Sequence, residues 1–79
     1  MKRMRKKEIP DVVIELGLKI KNIIEEKDLK QREVAYDAEL DVENLRKYIK
    51  GTQEMKISTL MRIAKALNIS ASELIDDLE

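Results

Sequence analysis

Cysteine, histidine, tryptophan and phenylalanine are all absent from this 79-residue chain, and only two tyrosines represent the aromatics. The lack of cysteine excludes disulfides and thiolate chemistry. Without histidine as well, zinc sites of the usual kind and every imidazole-based mechanism are excluded. Proline occurs once and glycine twice, so little in the chain interrupts regular structure. Apolar runs last only a few residues, which leaves nothing able to span a membrane. A secretory leader is not expected either, because the basic start leads into Glu8, Pro10 and Asp11 rather than an apolar stretch. The expected location is the cytoplasm.

Charge is plentiful but balanced. Lysine plus arginine number 16 and aspartate plus glutamate number 16, while 43% of residues are hydrophobic. That mixture fits short amphipathic helices better than an unfolded tail of one sign. The distribution is uneven, however. Residues 2–7 (KRMRKK) hold five cations and no anion, leaving residues 8–79 with 11 cations against 16 anions, a net −5. Lys2, Arg3, Arg5, Lys6 and Lys7 thus form a basic arm, expected over residues 1–9. Such tracts commonly contact nucleic acid, although a plain solubilising tail has the same composition. At this length the remaining residues, 10–79, make one domain.

Five helices are legible. The first starts near Pro10–Asp11, since proline suits a first turn, and carries Val13, Leu16, Ile20, Ile23 and Ile24 at helical spacing to Glu26 or Lys27. Gly17 inside it marks a close approach or a weak point. The second runs from about Gln31 to Ala38 with Val34, Ala35 and Ala38 inward. Asp41 offers a cap for the third, where Val42, Leu45, Tyr48 and Ile49 share one side and Gly51 supplies a left-handed stop. Ser58 is the expected cap of the fourth, with Leu60, Ile63, Ala64 and Leu67 as its apolar stripe, Met61 packed in it and Asn68 as its stop. Ser70-Ala71-Ser72-Glu73 reads as a capping box opening a fifth helix with Leu74, Ile75 and Leu78. Tyr36 and Tyr48 are expected at the core edge, because two tyrosines at unrelated places make no stacking surface. Asp76-Asp77 is a solvated tail, not a metal site.

The second and third helices are short, joined by about three residues, and the third keeps Glu43, Arg46, Lys47 and Lys50 on its outer side with Asn44 on the flank. This is a helix-turn-helix pattern, although any small helical bundle contains such pairs. Residues 16–75 add specific features. Gln31 opens the second helix, Val34-Ala35 lie within it, and Leu45 sits at the centre of the third. Lys50-Gly51 then form a stop, Ser58–Leu60 open the fourth helix, and IAKALNISASELI closes the run. This run resembles the Cro/cI-type (XRE) helix-turn-helix family of phage and bacterial repressors. The resemblance implies an all-α, five-helix, lambda-repressor-like DNA-binding domain. It departs from the family at three places. Glu39 stands where the turn usually has glycine, and Lys30 stands where a capping serine or threonine is common. Ile49 and Ile24 replace an acid and an arginine that usually pair; exchanging an ion pair for two apolar side chains preserves the contact.

Roles follow from the resemblance residue by residue. Val42, Glu43, Asn44 and Lys47 match base-facing positions. Lysine donates to guanine O6 and N7, glutamate accepts from cytosine N4, asparagine pairs with adenine, and valine touches a thymine methyl. Competing assignments are a surface Glu43–Lys47 pair and a core place for Val42. Gln31 matches a phosphate contact at a helix N-terminus. Arg46, Lys50, Thr52 and Lys56 lie at or beyond the end of the third helix, and Ser58 and Thr59 at the start of the fourth. All six are candidate phosphate contacts. Asp37, Glu39, Asp41 and Glu43 oppose binding unless they point away or accept from bases.

The implied function is sequence-specific binding of double-stranded DNA, as a transcriptional repressor dimeric on an inverted repeat. Leu74, Ile75 and Leu78 are candidates for the two-fold contact. The alternative is a protein-interaction module on the same fold, such as an antitoxin or an anti-repressor partner. An enzyme is not expected, because no carboxylate, lysine or tyrosine constellation is recognisable. Neither a cofactor nor a metal is implied. A regulatory protein partner is compatible with either reading.

Overall fold

A computed structural model describes residues 9–78. The basic tract from Lys2 to Lys7 lies outside the described residues. Five helices follow in order: α1 (Asp11–Glu26), α2 (Gln31–Asp37), α3 (Val42–Lys50), α4 (Ile57–Ala66) and α5 (Ala71–Ile75). No strand occurs among the described residues. α1 packs on α3 and α5, α2 on α3 and α4, and α4 on α5, so every helix faces a common centre.

Each helix drives at least one aliphatic side chain into that centre. Ile20, Val34, Leu45, Ile63 and Leu74 come one from each helix, and Leu67 joins them, all at 2% exposure or less. Each such side chain contributes about 1.5–3 kcal/mol of burial. Ile24 and Ile49, standing where the family commonly has an ion pair, both belong to this apolar core. Gly17 is where α1 and α3 meet most closely, since a Cβ there would overlap the carbonyl oxygens of Tyr48 and Ile49.

Helix ends repeat one device. Asp28 (φ 56°), Glu39 (φ 60°), Gly51 (φ 73°) and Asn68 (φ 63°) are left-handed, within two residues of the ends of α1, α2, α3 and α4. Behind each, the next backbone N–H reaches five residues back: Leu29 to Ile24, Leu40 to Ala35, Thr52 to Lys47 and Ile69 to Ala64, at 2.8–3.1 Å. These are Schellman closures, and they satisfy carbonyls that would otherwise be orphaned. Two cations from other parts of the fold add to this. Lys27 Nζ donates to Leu67 O at 2.8 Å, and Arg62 Nε to Ala38 O at 3.1 Å. Positive charge at these negative helix ends is favourable.

Several expectations are corrected here. α4 begins at Ile57 with Lys56 as its N-cap residue, so Ser58 is already inside the helix and caps nothing. Asp41 is the N-cap residue of α3, but its side chain accepts no capping bond. Tyr36 is 82% exposed instead of lying at the core edge, because Val34, Ala35 and Ala38 already take the inward face. Met61 is 53% exposed on the outside of α4. The Ser70–Glu73 capping box forms as expected, with Glu73 N–H donating to Ser70 Oγ at 3.1 Å and Ser70 N–H to Glu73 Oε1 at 2.9 Å.

Candidate nucleic-acid interface

α3 is anchored through Leu45, Tyr48 and Ile49, which are buried, and it turns Glu43, Asn44, Arg46, Lys47 and Lys50 to solvent. The helical period forces this split: three apolar residues at spacings of three and four fix one face, and the polar residues take the other. Gly51 ends the helix in the left-handed conformation (φ 73°), where an added Cβ would press on Ile14. Thr52 then folds back so that both its N–H (3.1 Å) and its hydroxyl (3.2 Å) reach the Lys47 carbonyl. The Thr52 hydroxyl is therefore engaged in closing α3.

The base-facing candidates separate by environment. Asn44 and Lys47 are exposed, and Lys47 has no ion pair among the described residues. Glu43 pairs with Arg46 (Nη1 to Oε2, 3.0 Å), not with Lys47. An exposed pair at this spacing contributes only about 0.2–0.5 kcal/mol, so a phosphate or a base can displace it. Val42 is half-buried against the core, with part of its surface at the start of α3 still open.

Gln31, Arg46 and Lys50 come together around one groove, about 510 Å3 in volume, between α1, the start of α2 and the end of α3. Lys21 of α1 lines the same groove. Sequence reasoning missed it because it weighed no residue of α1 as a contact. Its position seven residues beyond Ile14 on one face of α1 was the available signal. Gln31 is the first residue of α2, where backbone N–H groups lack helical partners and favour an anion.

The remaining phosphate candidates are outside the residues lining this groove. Lys56 and Ser58 are exposed at the start of α4. Thr59 is 5% exposed, so its side chain is unavailable to a phosphate, and the reading of it as a contact is corrected. Two of the opposing acids have local company: Asp37 and Glu39 line a depression with Arg62 and Lys65. Glu43 is the one of these acids with an ion pair among the described residues, to Arg46. No cluster of three or more potential metal ligands occurs among the described residues, nor any helix long and apolar enough to cross a membrane.

A short positioning helix followed by an anchored helix with a cationic, polar outer face defines a helix-turn-helix DNA-binding unit. Residues 19–78 match the family described as the Cro/C1-type HTH DNA-binding domain. The chain belongs to that family. It is 36% identical over 61 residues to the cryptic phage CTXphi transcriptional repressor RstR of Vibrio cholerae. That match covers 77% of this chain and 55% of the relative, so the chain spans about half the length of the curated protein it matches. Among solved structures, the restriction-modification controller protein C.AhdI from Aeromonas hydrophila superposes with a TM-score of 0.76 at 25% identity, over 81% of this chain and 96% of that one. The competence regulator ComR from Streptococcus vestibularis does so with a TM-score of 0.78 at 30% identity, over 86% of this chain but 23% of that one.

Proposed function

We propose that this chain binds specific duplex DNA sequences and regulates transcription as a repressor, acting as a homodimer on an inverted repeat. The observation that carries the reading is the outer face of α3, where Asn44 and Lys47 stand exposed beside Glu43, Arg46 and Lys50 on an anchored helix. A helix of this kind fits the major groove with its first turns at the base edges, while the preceding helix meets the backbone. Lys47 then donates to guanine, Asn44 pairs with adenine, Glu43 accepts from cytosine once Arg46 leaves it for a phosphate, and Val42 meets a thymine methyl. Gln31, Arg46 and Lys50 track the phosphates from one groove, with Lys56 and Ser58 as further contacts. Similarity to RstR, a transcriptional repressor, and to C.AhdI, a restriction-modification controller protein, supports a regulatory role. A cytoplasmic site of action goes with it.

The two-fold contact falls to Ile75, 44% exposed, and the half-buried Leu78. Leu74 is fully buried within the subunit and is removed from that contact. Half-sites about 34 Å apart are the geometric expectation for such a dimer.

The test is selection from random duplex DNA by the full chain at moderate salt. Enrichment of an inverted repeat is the expected result. Lys47→Ala is then expected to relax one base position per half-site by about 1–3 kcal/mol, while leaving the melting temperature unchanged. Failure to enrich any motif overturns the reading and favours a protein-interaction role on the same fold.

A further inference from the structure

The groove that gathers Gln31, Arg46 and Lys50 has a floor that DNA does not account for. Ile14 and Leu18 of α1 form it together with Ile49 of α3, and Ile14 and Leu18 are 42% and 53% exposed. Ile14, Leu18 and Lys21 lie at spacings of four and three, on one face of α1, and Arg46, Ile49 and Lys50 come from the last turns of α3. Three aliphatic and three cationic side chains thus line one groove of about 510 Å3. Phosphates satisfy the cations but leave two large aliphatic side chains against water. The chain's own tract at residues 2–7 is no occupant, because five cations carry the wrong sign for a rim of Lys21, Arg46 and Lys50.

We propose that this groove docks an acidic amphipathic segment of a partner protein, whose apolar residues cover Ile14 and Leu18 while its carboxylates meet Lys21 and Lys50. Apolar anchors in a groove with charges at the rim are a recurrent mode of peptide recognition. Arg46 joins the rim by exchanging Glu43 for a carboxylate of the partner, since the existing pair is exposed. Gln31, Arg46 and Lys50 are also the candidate phosphate contacts, so the segment and a duplex exclude each other. Docking stands on the groove alone, whereas exclusion rests on the DNA-binding reading above. The partner is therefore a release factor for DNA, recognised by negative charge and an apolar stripe.

The probe is a library of short displayed peptides selected on the immobilised full chain. The expected consensus has apolar residues three or four apart flanked by aspartate or glutamate. Leu18→Gln is expected to weaken the selected peptide by about tenfold or more, by removing an apolar anchor without adding charge, while duplex affinity changes by less than about twofold. Lys50→Ala is expected to weaken both ligands. A duplex carrying the selected operator should displace the labelled peptide competitively. Leu18 is exposed, and thermal melting of the variant confirms that it folds. Absence of an acidic–apolar consensus, or equal peptide binding by Leu18→Gln, overturns the docking site. Peptide and duplex bound simultaneously overturns the exclusion. A chain that binds the peptide as described but no duplex keeps the docking site and sinks both the DNA reading and the exclusion.

Discussion

Glu39 holds φ at 60° in the turn between α2 and α3, a conformation that costs a side-chain-bearing residue about 1–2 kcal/mol. Part of that cost is offset, because glycine at the same place loses more backbone freedom on folding. Glu39→Gly is therefore expected to stabilise the domain by about 0.5–1 kcal/mol and to raise the melting temperature by roughly 2–8 °C. Asn68→Gly, at φ 63°, serves as the comparison and should gain less, because asparagine tolerates the left-handed region better. Equal melting temperatures for wild type and Glu39→Gly in calorimetry would show the strain to be fully compensated. Gly17 argues in the opposite direction. A Cβ there meets backbone carbonyls of Tyr48 and Ile49 rather than a flexible side chain, so relief requires α1 and α3 to separate. Gly17→Ala is expected to cost about 1–3 kcal/mol in denaturant unfolding despite alanine's better helix propensity. A gain in stability would place the helices further apart than this contact implies.

The helices themselves were largely legible in the sequence, since apolar spacing located all five and the Ser70–Glu73 box marked the start of α5 to the residue. What was not legible is where a local preference is not followed. Serine is a favoured cap, yet Ser58 lies within α4: Lys56 takes the cap position and its carbonyl accepts from the Leu60 N–H at 2.9 Å. Tyr36 and Met61 were misplaced for a different reason. An apolar residue off the inward stripe of a short helix has no buried surface left to occupy. The recognition helix was legible because its polar face is the complement of an apolar one. Lys21 was not, because its groove is assembled from three helices that are separate in sequence. The capping box carries its own prediction. The Ser70 backbone N–H, then the Ser70 hydroxyl, hold the Glu73 carboxyl below its ordinary range, with Lys27 and Lys19 adding slightly. A depressed folded-state value means that the stabilisation is fully present above the ordinary glutamate range. It is lost as pH falls through the lower folded value. Glu73→Gln, which can still reach the Ser70 N–H, should flatten that part of the acid-unfolding profile. An unchanged profile would show that the box carries no protonation dependence.

At the scale of the whole molecule, charge separates into a tract of five cations over residues 2–7 and a remainder of net −5. A duplex therefore meets a body that repels it on average and attracts it only locally, through Lys21, Arg46, Lys47 and Lys50 around α3. Of the local acids, Glu43 is held by Arg46, and Asp37 and Glu39 share a depression with Arg62 and Lys65, which lessens repulsion without adding attraction. Long-range attraction must then come disproportionately from the basic tract. Each phosphate neutralised steepens the fall of log K against log salt by roughly 0.9. Deleting residues 2–7 is thus expected to flatten that slope by up to about 4.5 per protomer and to weaken binding at every sequence alike. The operator consensus itself should survive the deletion, since the bases are read from α3. Fluorescence anisotropy across a salt series, with full-length and shortened chains on the selected operator, reads both quantities. An unaltered slope would assign all the phosphate contacts to the folded body, and α1–α3 would then have to hold the duplex against the body's own negative charge.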